Sequence, residues 1–392
     1  MKVLFVCPFV PWPLSTGGKV RTFNLIKQAS AHAQLHVRVL YEPGGTPGAE
    51  EALAPYCETL TFFRRTPPGR SARLLRPKLE RWFHSSELSA EIEAAIEGGT
   101  VQLVHLDELL LARTVPDERR IPVVQHHHKL DTVFYDTVSS GEGFERHFDL
   151  WKLRRLEAES ARRYRHHLLC SQEEARILRR RHGALDVAVV PSGFDPALFS
   201  PSDPRPARDA RRLLFLGSMD YRPNVEGVLR FARSVLPRIR AERPDVVLDV
   251  VGRAPTPEVR ALASQGVRVL GEVPEVRSHL EGAAAFVVPL SIGGGTRLKI
   301  VEALALGTPT VSTTIGAEGL GLVHGEHLLL ADEEEAFARA TLELVGDPER
   351  AARLGARGQA FVHERYRWSA LAQDLVDYWE RVAFSGASSP SR

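Results

Sequence analysis

Cysteine is scarce in this chain. Its 392 residues hold three: Cys7, Cys57 and Cys170. An odd number with no Cys-x-x-Cys spacing argues against a disulfide framework and a cysteine-built zinc site, and fits a reducing cytoplasm. Excess charge of one sign is lacking too. Lys and Arg number 51 against 49 Asp and Glu, a formal net charge of +2. A whole-molecule nucleic-acid binder would be more basic. No apolar run approaches the roughly 20 residues that span a bilayer. Val3 to Val10, after Met1-Lys2, faintly resembles a secretion signal. It has no small-residue cleavage site and runs at once into Pro8, Pro11 and Pro13. No repeat of fixed period is evident.

What is present is an alternation of strand and helix patterns, which predicts parallel sheets covered by helices. Lys2 to Val6 reads as a buried strand, Gly17 to Ala31 as the helix after it, and Leu35 to Leu40 as the next strand. Further strands are predicted at Val101–His105, Pro122–Gln125, His167–Cys170 and Val187–Val190, with a long helix around Phe144–Tyr164. Turn formers then crowd Pro191 to Pro196 and Ser200 to Pro206. The pattern restarts with strands at Leu213–Gly217, Val246–Val251, Val267–Leu270, Ala285–Leu290 and Pro309–Thr313. Helices are predicted at Pro223–Arg240 and Arg297–Leu306. The expected fold class is α/β, with two doubly wound Rossmann-like domains facing a cleft. The first covers residues 1–200, with a C-terminal helix at 369–392 packing back onto it, and the second covers 201–368. Ligands of such sheets bind outside the carboxyl ends of the strands.

The strongest local signal runs from Ala285 to Glu302. A buried strand ends at Pro289, the triple glycine Gly293-Gly294-Gly295 follows, and Thr296 is placed to cap the next helix. Gly307 suits the position after that helix, with Pro309 as a stop. With Thr296 as cap, Arg297 and Lys299 fall in the first turn, the wrong end of a helix dipole for cations. The misfit costs a few tenths to about 1 kcal/mol unless an anion is present. A diphosphate would satisfy the free N–H groups, the dipole and both cations together, and the glycines would let it approach the backbone. The alternative is a loop with two solvated cations. Glu302, within an otherwise apolar stretch, either accepts hydrogen bonds from ribose hydroxyls or lies on a solvated face.

Three further features carry chemistry. His126-His127-His128 ends the strand that begins at Pro122. Adjacent side chains of an extended chain point opposite ways, which disfavours a metal triplet. His128 is then either a ligand contact or a hydrogen-bonding structural residue. Glu318 lies in a Gly316 to Gly319 loop and reads as a ligand contact or a turn residue. Arg64 to His84 mixes Arg64, Arg65, Arg70, Arg73, Arg76, Lys78 and Arg81 with Leu74, Leu75, Leu79, Trp82 and Phe83. That composition suits an anionic membrane surface or an ordinary basic helix with one buried face.

Several segments together resemble the GT-B glycosyltransferases of the large retaining group called family 4, in the branch associated with exopolysaccharide synthesis. They are Pro11 to Gly18, Val190 to Asp195, Phe215 to Asn224, the triple-glycine helix, and Ser312 to Leu320. The resemblance implies a nucleotide-diphosphate sugar as donor and a glycan or lipid-linked acceptor. It implies that Glu302 binds the donor ribose, as the second Glu of a Glu-x7-Glu motif. Gly17, Gly18, Gly217, Arg222, Gly293, Gly294, Gly295 and Thr296 would complete the donor site. His128, Arg297 and Lys299 would be the catalytic set. Two positions depart from the family pattern. Gly294 stands where the first Glu of that motif belongs, and Ser218 and Asn224 stand where cations follow the first carboxy-domain strand. No metal or other cofactor is expected, and retention implies that the departing phosphate takes the acceptor proton. The expected location is the cytoplasm, with peripheral contact at the inner membrane face through Arg64–His84. The alternatives are a UDP-sugar 2-epimerase-like isomerase on the same fold and a non-catalytic nucleotide-sugar-binding relative.

Overall fold

The computed structural model describes residues 1–384 except 43, 44, 46, 67, 70–74, 116–120, 139–143, 265 and 294–296. The chain forms two compact units. One is Met1–Pro191 together with the segment from Trp368 onward, and the other is Ser192–Arg367.

The first unit is built on seven strands: β1 (Lys2–Cys7), β2 (Gln34–Tyr41), β3 (Thr59–Arg64), β4 (Leu103–Leu106), β5 (Val123–His126), β6 (His166–Leu169) and β7 (Asp186–Val189). They pair in parallel in the order β3-β2-β1-β4-β5-β6-β7. Val3 to Cys7 are all fully buried, as expected of a central strand covered on both faces. The strand order reverses between β1 and β4, so the crevice outside their carboxyl ends is the natural ligand position. The helix Gly17–Ala29 follows β1, capped by the Thr16 hydroxyl, which accepts from the Lys19 N–H. The glycine pair of the sequence motif is therefore the start of a helix. The last described helix, Trp368–Phe384, returns to this unit. Its Tyr378 hydroxyl donates to the carbonyls of His167 at 3.2 Å and Asp186 at 3.0 Å.

The second unit has six parallel strands: β8 (Asp209–Leu216), β9 (Val247–Val251), β10 (Val267–Gly271), β11 (Ala283–Val288), β12 (Thr310–Ser312) and β13 (Leu329–Leu330). Their order is β10-β9-β8-β11-β12-β13, with the reversal between β8 and β11. β11 is buried at every position. Its Ala285 and Val287 join a core with Val228, Phe231 and Phe337. Its Phe286 and Val288 join another with Ile300, Val301, Leu304 and Val362. Alternate side chains thus meet different helices, which is what a doubly wound sheet requires.

Two helices differ from expectation. The segment predicted as one helix, Pro223–Arg240, is Arg222–Arg230, then a π-type turn over Phe231–Val235, then Leu236–Glu242. Pro237 lacks the N–H that an uninterrupted ladder needs, and the wider turn absorbs its ring. The helix predicted to begin at Arg297 begins at Leu298, with Arg297 itself at the cap position. Gly307 follows that helix with φ +69°, a conformation that favours glycine.

Candidate active site

Lys299 organises the second unit's cluster. It sits in the first turn of the helix Leu298–Ala305, at the β8/β11 reversal. Its ammonium reaches back to the carboxyl end of β8 and donates to the Leu216 carbonyl and to Asn224 Oδ1, each at 2.7 Å. It also lies 5.1 Å from the centre of the Phe215 ring. Asn224 is held in turn, its amide donating to the Ser218 carbonyl at 2.9 Å. Gly217 makes room for this arrangement. A Cβ there would fall 2.6 Å from the Asn224 amide carbon. Asn224 therefore orients the Lys299 ammonium.

Burial, helped by the neighbouring Arg297 charge and opposed by Glu302, lowers the Lys299 pKa to about 7. Glu302 stands one turn further along, at the same face of the helix. Burial, opposed by Lys299, pushes its carboxyl up to about 8. Burial thus draws both groups toward their neutral forms.

Arg297 takes a different position from the one its sequence suggests. Its side chain is buried and donates to the Ile315 carbonyl at 3.2 Å. The guanidinium lies over Gly293, where a Cβ would come within 2.6 Å of its carbon. The arginine joins the triple-glycine loop to the loop after β12. The helix starts one residue later than expected, with Arg297 at its cap position. Gly294, Gly295 and Thr296 lie outside the described residues. Among those described, no side chain caps this helix start. Arg222 opens the helix Arg222–Arg230 and pairs with Glu226 at 2.6 Å. Glu318 is exposed, in a turn whose N–H donates to Ile315.

The first unit carries a second cluster, and its centre, Asp107, is a residue that the sequence reading missed. Asp107 follows β4 and is fully buried. Its Oδ1 receives His126 Nδ1 at 2.7 Å and His128 Nε2 at 2.9 Å, and its Oδ2 receives the Thr22 hydroxyl at 2.5 Å. Burial alone would raise the Asp107 carboxyl, yet the three surrounding imidazoles hold it well below the ordinary range. His126 is fixed from behind by Arg21, whose Nη2 meets His126 Nε2 at 2.9 Å and the Val190 carbonyl at 2.6 Å. His105 Nδ1 receives the Trp379 indole N–H at 3.1 Å. His127 points the other way, to His167 Nδ1 at 3.0 Å. The alternation expected of the triplet is seen.

The ligand-type atoms of His105, Asp107 and His126 lie within 4.8 Å of one another. Arg21 and Trp379 can only donate, so they occupy the outward lone pairs of His126 and His105 and turn both imidazole protons inward. An ion at this point would have to displace those protons. Beside the cluster, burial and nearby Asp131 raise the Glu108 carboxyl to about 7. The acidic pair in the apolar run Val101 to Leu111 was the available sequence signal for this centre.

Two doubly wound parallel units, each with its polar cluster at the carboxyl ends of its reversal strands, define the GT-B class of fold. Solved structures agree. Sucrose-phosphate synthase of Thermosynechococcus elongatus superposes with a TM-score of 0.73 at 19% identity, covering 99% of this chain and 100% of that one. The Anabaena protein HepE, solved with UDP and glucose, gives 0.68 at 17% identity over 97% and 99%. Residues 16–198 match the model for Glycosyltransferase Family 4, and residues 210–347 that for Glycosyl transferases group 1. The chain belongs to the family 4 glycosyltransferases. The phosphatidyl-myo-inositol mannosyltransferase of Mycolicibacterium smegmatis is 31% identical over 211 residues, 51% of this chain and 53% of that protein. An uncharacterised protein from the cps region of Klebsiella pneumoniae is 26% identical over 39% of this chain and 42% of its own length. The chain thus spans about half the length of the curated relatives it matches.

Proposed function

We propose that the chain is a retaining glycosyltransferase. It moves a sugar from a nucleotide-diphosphate sugar to a glycan or lipid-linked acceptor in polysaccharide or glycoconjugate synthesis. The observation that carries this reading is the Lys299 ammonium, fixed by Leu216 and Asn224 at the sheet reversal beside a helix start that no side chain among the described residues caps. Breaking the bond from the anomeric carbon to phosphate leaves negative charge on the nucleoside diphosphate. Cations and N–H groups already in place stabilise that charge most where it develops, in the transition state. Arriving pyrophosphate returns Lys299 to full charge, with Arg297 and the glycine loop beside it. Glu302 takes the ribose hydroxyls. His128 contacts the transferred sugar. The departing phosphate takes the acceptor proton on the same face, so no protein base and no metal is assigned.

HepE was solved with UDP and glucose, and the mannosyltransferase relatives are named for a phosphatidyl-myo-inositol lipid. Both support the donor and acceptor classes. Cytoplasmic location with peripheral contact at the inner membrane face is part of the same reading. Within Arg64–His84, Leu75, Leu79 and Trp82 are exposed, while Arg70, Arg73 and Leu74 lie outside the described residues. The Lys78 N–H donates to Asp149 at 2.9 Å, joining this segment to the helix Phe144–Arg163. That helix exposes the stacked pair Phe148 and Trp151. Among the described residues no helix is long and apolar enough to cross a membrane.

Thermal-shift titration with UDP, GDP and ADP tests the donor reading, because a ligand of the folded state raises its melting temperature. One nucleotide should stabilise the chain, and stabilisation by none would overturn the proposal. Incubating the matching labelled nucleotide sugar without acceptor separates transfer from isomerisation, since an epimeric product would favour the 2-epimerase alternative.

A further inference from the structure

The turn-rich stretch Ser200 to Pro206 and the residues after it bring two arginines of the second unit to one point. That point is Gly307, just past the helix Leu298–Ala305. Arg208 Nη2 donates to the Gly307 carbonyl at 2.8 Å. Its Nη1 donates to the carbonyls of Glu281 at 3.2 Å and Ala283 at 3.3 Å. Arg205 lies beside it, since a Cβ on Gly307 would stand 3.2 Å from Arg205 Nη1. Arg205 Nη2 donates to Gln359 Oε1 at 2.9 Å, and Gln359 is itself fixed by donating to the Ala305 carbonyl at 2.7 Å. An exposed arginine is thereby held in one place. The two guanidiniums border a cavity of about 190 Å³, whose wall also includes Glu281, Leu306 and Ala352.

Among the described residues neither arginine forms an ion pair. The Glu281 carboxylate is engaged elsewhere. Its Oε1 accepts the Ser202 N–H, its Oε2 accepts the Ser202 hydroxyl at 2.7 Å, and Arg277 stands 3.7 Å from Oε2. Burial, and after it the Arg205 charge, lowers the Arg208 pKa to about 10, with Glu281 pulling the other way. A cation near a helix C-terminus answers its carbonyls, which accounts for Arg208. It does not account for Arg205, which reaches no backbone carbonyl and adds a second positive charge at the same point. A carboxylate would answer one of these charges. A phosphate group, with about −1.5 to −2 charges near pH 7 and oxygens that match guanidinium forks, would answer both. The space is below the roughly 300–1,000 Å³ of sites for drug-sized ligands, so it suits a single phosphate rather than a nucleotide.

We propose that this cavity is an anion site of the second unit that takes an inorganic phosphate dianion between Arg205 and Arg208. It is separate from the donor cluster. β8 begins beside the cavity and ends at Leu216, which holds Lys299. The helix Leu298–Ala305 alone puts about 12 Å between the two places. The proposal goes beyond the glycosyltransferase reading and does not depend on it.

Calorimetric titration of the full chain with inorganic phosphate, at constant ionic strength, should show a saturable millimolar site, and acetate should show none. Absence of saturable phosphate binding would overturn the inference, and so would equal binding of acetate. Arg205→Gln should melt within a few degrees of wild type, because the side chain is exposed, and should weaken phosphate by about tenfold or more. Ala352→Glu sets a carboxylate at the exposed cavity wall without altering either arginine, and should abolish the site. Lys299→Met should keep it. The reverse pattern, loss in Lys299→Met with both cavity variants unchanged, would place the phosphate at the donor cluster and sink the proposal. The nucleotide titration decides the donor reading separately, so either conclusion can fail while the other stands.

Discussion

The two clusters solve the problem of buried charge in opposite ways. Around Asp107 the charge is answered from within the fold: Thr22 and two histidines converge on one carboxylate, Arg21 holds one of those histidines from behind, and the carboxylate stays ionised. Around Lys299 the fold supplies neutral acceptors, a carbonyl and an amide, and the ammonium and nearby Glu302 are both pulled toward neutrality. The first arrangement is complete without a ligand. The second gains from one, since an anion supplies the charge that burial withholds. A cluster whose charges are satisfied internally serves geometry, and one whose charges are suppressed is suited to binding.

The sharpest way to break this contrast is to remove each centre. Asp107→Ala should leave several buried donors unanswered and cost about 3–5 kcal/mol of stability, read by urea unfolding. A cost under about 1 kcal/mol would mean that the network is not holding the unit together. Arg297→Ala comes next. It should weaken nucleotide binding by about ten- to a hundredfold in calorimetry, the loss expected for a charge-assisted hydrogen bond. Unchanged affinity would remove Arg297 from the phosphate role.

The pH dependence is a smaller effect and sharpens the comparison. Free Lys299 loses its proton above about 7, and the charge of a bound pyrophosphate should raise its pKa. Binding above that pH therefore takes up a proton. The Lys299 contribution is largest below pH 7 and should fall by up to about tenfold per unit above it. Calorimetry in buffers of different ionisation enthalpy measures the uptake, which should vanish in Lys299→Met. The smallest expected effect is none at all. Transfer should survive EDTA treatment, and loss restored by a divalent ion would reassign the diphosphate contacts.

Much of the fold was legible because parallel strands buried on both faces read as unbroken apolar runs, as Lys2–Cys7 and Ala283–Val288 do. β3 was not, because Thr59–Arg64 is an edge strand and only half-buried. At the candidate site, the glycine loop, Lys299 and Glu302 could be named from local spacing. The role of Asn224 could not, because its partner Lys299 is 75 residues away. The Asp107 cluster was hidden for the same reason. It assembles residues from β4, β5, the first helix and the last, and local periodicity carries no information about such meetings. The helix after the glycine loop starts at Leu298, one residue later than the pattern predicted, with Arg297 at the cap.

The contact between Trp379 and His105 joins residues 274 positions apart in the chain. A ribosome delivers the seven strands of the first sheet, then all of the second unit, and only afterwards the tryptophan that fixes the His105 proton. The first unit to emerge is therefore the last to be finished. Its hydrogen-bond pattern is set by a residue that no nascent fragment ending before the final helix contains.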